Sequence, residues 1–175
     1  MAVEVAAAVE ADLAELASVA ARTFPLACPP STSPENIVAF VDENLSENRF
    51  REYLDAGHVV LAAREEQRMV GYAMLIRGVP DDEDIARAVP LRPAVELSKM
   101  YVLSDSHGSG ASAALMSAAL TRAAELDAKC VWLGVNQNNQ RAQRFYTKHG
   151  FSVNGTKTFR LGTHFEDDYV MVRPL

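Results

Sequence analysis

A chain of 175 residues is long enough to bury one sizeable core. Its 49% apolar and 23% charged residues are ordinary for a soluble globular domain, and a net charge of -6 speaks against nonspecific binding to nucleic acid through a basic surface. Cys28 and Cys130 form no C-x-x-C pair and no His cluster has metal-ligand spacing, so a disulfide framework and a metal site are both unsupported. A reducing compartment is the consequence. Met1 to Glu10 carries acids and no basic leader, and no apolar run is long enough for a bilayer. A single domain over 1–175, cytoplasmic and without a membrane partner, is expected.

Residues 3–8 read as a short first strand. Glu10 to Thr23 then shows helical spacing of Leu13, Leu16, Ala17, Ala20 and Ala21, with Pro25, Pro29 and Pro30 expected to end it in a loop. Ser33-Pro34-Glu35 has the form of an N-cap with proline in the first turn, and Ile37, Phe40, Val41 and Leu45 give the following helix an apolar side. Phe50 and Leu54 suggest a further helical turn before Gly57. His58 to Arg64 and Met69 to Arg77 read as an antiparallel hairpin. Val79 to Pro93, with the acidic run Asp81 to Asp84, is expected to be a long polar connection. Val95 to Leu103 is strand-like, Gly110 to Leu126 helical, and Lys129 to Val135 a strand covered on both faces. Asn138 is expected to cap a helix that Gly150 stops, followed by an antiparallel pair from Phe151 to Leu161 and Asp168 to Arg173. The fold class is α/β with a mixed sheet.

Chemistry concentrates between Glu96 and Phe151. The turn His107-Gly108-Ser109-Gly110 opens into an alanine-rich helix, whose first amides and dipole favour an anion. Glycine lets that anion approach the backbone, and the small residues Ser109, Ala111 and Ser112 leave room. Gly-x-Gly turns are also plain connectors. Ala113 stands where a dinucleotide fold has its third glycine, and the Gly-Lys-Ser/Thr ending of a phosphate loop is missing, so neither of those nucleotide folds is indicated. Asn139, Ala142 and Tyr146, at i, i+3 and i+7, share one helical face. That face fits a shallow groove whose tyrosine gives a proton to a leaving thiolate, or a Tyr146 that simply packs in the core. Period-two alternation places Glu96, Ser98, Met100 and Val102 on one strand face and Lys99 on the other. Glu96 fits a base that strips a proton from an amine, or a salt-bridged carboxylate at the strand's start. Arg141, Arg144 and Lys148 make a basic helix side that would suit phosphates or solvent.

Glu96-Leu97-Ser98-Lys99-Met100-Tyr101-Val102-Leu103, then the turn, then Asn139-x-x-Ala142-x-x-Phe145-Tyr146-x-x-x-Gly150-Phe151 together resemble the GNAT superfamily of acyl-CoA-dependent N-acyltransferases. The ending from Phe151 to Met171 is similar to PaiA-type spermidine/spermine acetyltransferases. The resemblance implies a mostly antiparallel central sheet flanked by helices, and acetyl-CoA as co-substrate. It implies a pantetheine arm on the backbone of Met100, Tyr101 and Val102, and a pyrophosphate on the amides of His107, Gly108, Ser109, Gly110, Ala111 and Ser112. It also implies Asn139 and Ala142 beside the cofactor, Tyr146 as the acid and Glu96 as the base. The family's turn usually begins with Arg or Gln and ends in Gly or Ala. His107 and Ser112 depart from that, which implies tuned CoA affinity and not its loss. The expected acceptor is a small primary amine, a polyamine first; Asp81 to Asp84 and Glu166-Asp167-Asp168 fit either acids that draw it in or solvated loops. A protein amine, a noncatalytic acyl-CoA sensor on the same fold, and a homodimer all stay open.

Overall fold

The computed structural model describes residues 2–175; Met1, where the expected domain begins, lies outside them. Seven strands make one sheet: β1 (Val3–Ala7), β2 (Val59–Glu65), β3 (Arg68–Arg77), β4 (Ala94–Val102), β5 (Cys130–Asn136), β6 (Ser152–Leu161) and β7 (His164–Pro174). Their order is β1-β2-β3-β4-β5-β7-β6. Every neighbouring pair is antiparallel except β4–β5, which is the mixed, mostly antiparallel α/β sheet expected from the sequence.

Helices cover both faces. On one face lie α1 (Leu13–Ala27), α2 (Pro34–Asn44) and α3 (Glu47–Asp55), with Leu16, Phe24, Leu45 and Phe50 packed on Val60, Tyr72 and Met74. Ser33 and Ser46 accept the Asn36 and Arg49 amides and start α2 and α3. On the other face, α5 (Ala111–Glu125) buries Leu115, Met116, Ala119 and Ala123 against Val95, Leu97, Val131 and Leu133. Alanine here lets the helix approach the sheet closely. β5 is sandwiched as expected: Val131 and Leu133 meet α5, while Cys130 and Trp132 join Ile85 and Ala88 on the opposite side. The last helix, α6 (Gln140–Lys148), leads back into β6 through Gly150, whose φ of +92° reverses the chain. No helix is long and apolar enough to cross a membrane among the described residues.

Four sequence expectations change. Pro25 does not end α1, which runs on to Ala27 because a proline in the last turn removes only one amide donor. The polar connection holds a short helix, α4 (Glu83–Ala88), whose N-cap is Asp82: its Oδ1 accepts the Ile85 amide at 3.1 Å. Asn139, not Asn138, caps α6, its Oδ1 accepting the Ala142 amide at 3.1 Å. The largest change is in β4. Leu75 pairs with Leu97 and Met74 with Lys99, so Ser98 is an extra residue bulged out of the ladder. One extra residue inverts the alternation beyond it. Val95, Leu97, Met100 and Val102 therefore share the α5 face, and Glu96, Lys99 and Tyr101 fall on the other.

Candidate active site

The parallel β4–β5 pairing is brief. It runs from Ala94↔Cys130 to Glu96↔Trp132 and stops. Beyond that point β4 keeps its β3 partner on one side and leaves its other edge without a strand. The fork between β4 and β5 is the site. Two cavities meet there, of about 250 and 180 Å³, sharing Met100, Tyr101, Asn139, Ala142 and Tyr146 as common wall. They form one trough with two ends.

The smaller end lies beside the glycine turn and takes in Val102, His107, Gly108 and Ser112. Gly108 and Gly110 have φ of +85° and +93°, and the space where a Cβ would sit is open at both. Not all six turn amides are available. His107 donates to the Ser104 carbonyl, Ser109 to that of Ser106, and Ala111 to the Ser109 hydroxyl. The amides of Gly108, Gly110 and Ser112 have no such partner among the described residues, and the first helical bond of α5 is Ala114 to Gly110. Ala111 is fully buried in the core, and Ser109 and Gly110 stand outside the cavity wall. His107 has a structural task. Arg141 Nη2 donates to its Nδ1 at 2.8 Å, so Nε2 carries the hydrogen given to the Val102 carbonyl at 2.9 Å. The ring ties β4 to α6 and holds a guanidinium at the rim of the turn.

At the junction, Tyr146 packs on Phe145 and Phe151 with ring centroids 5.6 and 5.9 Å away. Burial pushes its phenol up to about 12, so it holds its proton at neutral pH. Tyr101 is raised by burial too, with Tyr146 adding to the effect.

The larger end is lined by charge. Glu96 and Lys99 come from β4, Lys157 from β6, and Glu166 and Asp168 from β7. Lys157 Nζ pairs with Asp168 Oδ2 at 3.5 Å; their side chains are 15% and 8% exposed, and the residues sit directly opposite across the β6–β7 ladder. Burial raises the Asp168 carboxyl, against the pull of Lys157. Burial also raises Glu96, opposed by Lys157 and Lys99. Burial lowers the Lys99 ammonium to about 8, with Glu96 opposing and Arg49 adding. Glu166 Oε1 is buried and accepts no hydrogen bond, with His164 Nε2 3.4 Å away. Phe24, Cys28, Phe40 and Phe159 supply the apolar cover. The Cys28 thiol is pushed by burial to about 11, which leaves it a poor nucleophile.

The fork thus brings Glu96, Met100, Tyr101, Val102, His107, Gly108, Ser112, Asn139, Ala142 and Tyr146 into one trough and leaves out Ser109, Gly110 and Ala111. Sequence reasoning missed Lys99 and Lys157. For Lys157 a signal was present: Gly155, Lys157, Phe159 and Leu161 alternate with exposed residues along β6. For Lys99 none was, because nothing local marks Ser98 as a bulge. The run Asp81 to Asp84 lies away from both cavities, in the cap and first turn of α4.

The same architecture recurs in a PaiA N-acetyltransferase of Thermoplasma acidophilum solved with coenzyme A, which is 18% identical, with a TM-score of 0.77 and full coverage of both chains. In sequence, an uncharacterized N-acetyltransferase of Mycobacterium tuberculosis is 61% identical over 165 residues, 94% of this chain and 98% of that one. An uncharacterized N-acetyltransferase of Lactobacillus delbrueckii subsp. lactis is 24% identical over 168 residues, 95% of this chain and 94% of its own. The profile of the acetyltransferase (GNAT) family matches residues 19–151. With its β4–β5 fork, its glycine turn and these relatives, the chain belongs to the GNAT family of acetyltransferases.

Proposed function

We propose that the protein moves an acetyl group from acetyl-CoA to a primary amine by direct attack, with Tyr146 as the acid and Glu96 as the base. The observation that carries this is the single trough. One end offers free amides and open backbone, the other a carboxylate, and a protonated phenol stands at the junction. The pyrophosphate of the carrier would rest on the amides of Gly108 and Ser112, with Arg141 at the rim. Its amide-bearing arm would pair with the unpartnered edge of β4 from Met100 to Val102. Asn139 and Ala142 keep the groove floor low.

Glu96, or a water it orders, takes a proton from the ammonium of the acceptor. The freed nitrogen pair attacks the thioester carbon, the carbon–sulfur bond breaks, and the Tyr146 hydroxyl gives its proton to the departing thiolate; the new amide nitrogen sheds its second proton to water, which restores the proton on Tyr146. No acyl-enzyme is formed. CoA release from acetyl-CoA with a panel of amines tests the reading, and a Tyr146→Phe variant with unchanged turnover would refute the acid role.

Among acceptors, the polyamine expectation keeps one support, since Glu166 and Asp168 line the larger cavity. Asp168 is already matched by Lys157, and Lys99 stands in the same wall. With Lys157 matched by Asp168, it is Lys99 that weighs against an acceptor that carries ammonium groups alone.

A further inference from the structure

The larger cavity is short of an anion at one defined place. Lys99 Nζ makes one long hydrogen bond, to Ser98 Oγ at 3.4 Å, and lies 5.1 Å from the Tyr53 ring centroid. No carboxylate stands within 4.0 Å of it among the described residues. An ammonium has three donors, and this one, in a half-buried wall, has a weak hydroxyl acceptor and the face of the Tyr53 ring but no anion. Arg49, 5.2 Å from the same ring, adds a second positive group behind it. The depressed value near 8 has this origin: burial without a close counter-ion. Lys157 differs, because Asp168 already answers it.

Three residues away on the same wall is Glu96, itself without an ion pair among the described residues. The Ser98 bulge is what puts the two on one face; in a regular strand they would point to opposite sides. Glu96 and Lys99 therefore line the same cavity, and neither has an ion pair among the described residues. Lys99 lines only this end of the trough and not the glycine-turn end, so the phosphates of the carrier do not reach it.

We propose that the acceptor is a zwitterion, a small amine that also carries a carboxylate, with its ammonium facing Glu96 and its carboxylate paired with Lys99. This rests on the acetyl-transfer reading above and names its substrate class. Lys99 is then a specificity-determining residue that touches the substrate away from the reacting atoms.

The test compares kcat/KM, from CoA release, within pairs that differ by a carboxylate: lysine against cadaverine and ornithine against putrescine, with spermidine as the polyamine arm. The carboxylate member of each pair is expected to be about tenfold or more the better substrate, the size of one charged hydrogen bond. Lys99→Met should bring the ratio close to one, and Lys99→Arg should keep most of it. The wild-type ratio needs no variant to fold. Spermidine or a plain diamine equalling the carboxylate members overturns the zwitterion and leaves acetyl transfer standing. A Lys99→Met protein that still binds acetyl-CoA and keeps the wild-type ratio also overturns it. No turnover of any amine overturns both the zwitterion and the acetyl-transfer reading.

Discussion

At the glycine turn the protein offers backbone amides and small residues, while at the far end of the same trough it offers five charged side chains. The turn end is built mainly from segments close in sequence, β4 into α5 and the first turns of α6, with Thr23, Leu26 and Ala27 of α1 as its cover. The far end draws on β4, β6 and β7, with α1 and α2 as cover. An anion held by backbone needs only local geometry, so its site can be read from a dozen residues. A cavity of side chains needs strand register, and register is a property of the whole sheet.

The sharpest way to break this contrast is at the junction. Tyr146→Phe should lower kcat by about 10²–10⁴-fold, the usual worth of general acid catalysis, with acetyl-CoA affinity by calorimetry changed little. A matching loss of affinity would show the ring to be structural. Next in size is the base. Glu96→Gln should cost about 10²-fold in kcat/KM near pH 7.

The pH profile sharpens the same point. As the proposed base Glu96 must be a carboxylate, and burial raises its pKa, so kcat/KM should fall with falling pH at a value above the ordinary ~4.3 of glutamate. Lys99→Met removes one opposing cation and should move that acid limb higher still. The linkage to folding has the opposite sense. A raised carboxyl favours the fold below its unfolded pKa, and that contribution is lost as pH rises through the folded one.

A smaller effect tests the strand that both ends share. A Cβ at Gly71 would lie 2.7 Å from the Tyr101 carbonyl oxygen and 2.9 Å from Val102 Cγ2. Gly71→Ala should therefore destabilise the protein by about 1–3 kcal/mol, read as a lower midpoint in urea. The smallest effect belongs to the rim. Arg141→Ala should raise the KM for acetyl-CoA only a few-fold, about 0.5–1 kcal/mol, and less at high salt.

Most of the fold was legible. Apolar periodicity found every strand, and the serine and proline signals located α2 and its start. What escaped was α4, because a one-turn-and-a-half helix in an acidic connection has too short a pattern to show. The site was legible in proportion to its locality. Asn139, Ala142 and Tyr146 share a helical face, and the structure puts them along one wall. Lys99 was placed on the wrong face because a single bulged serine changes parity without changing composition. Glu166 and Asp168 were noticed as acids, but nothing in their own segment says that Lys157 answers one of them and leaves the other's oxygen bare.

The fork itself also works as a ruler. From Val102 at its open mouth to Glu96 at its apex, β4 supplies roughly 20 Å of extended chain. At the apex Trp132 takes over as partner, and the free edge ends. Anything threaded along that edge runs out of hydrogen-bonding track at a fixed depth, so the point where two strands rejoin sets how far a passenger can travel before it must react or leave.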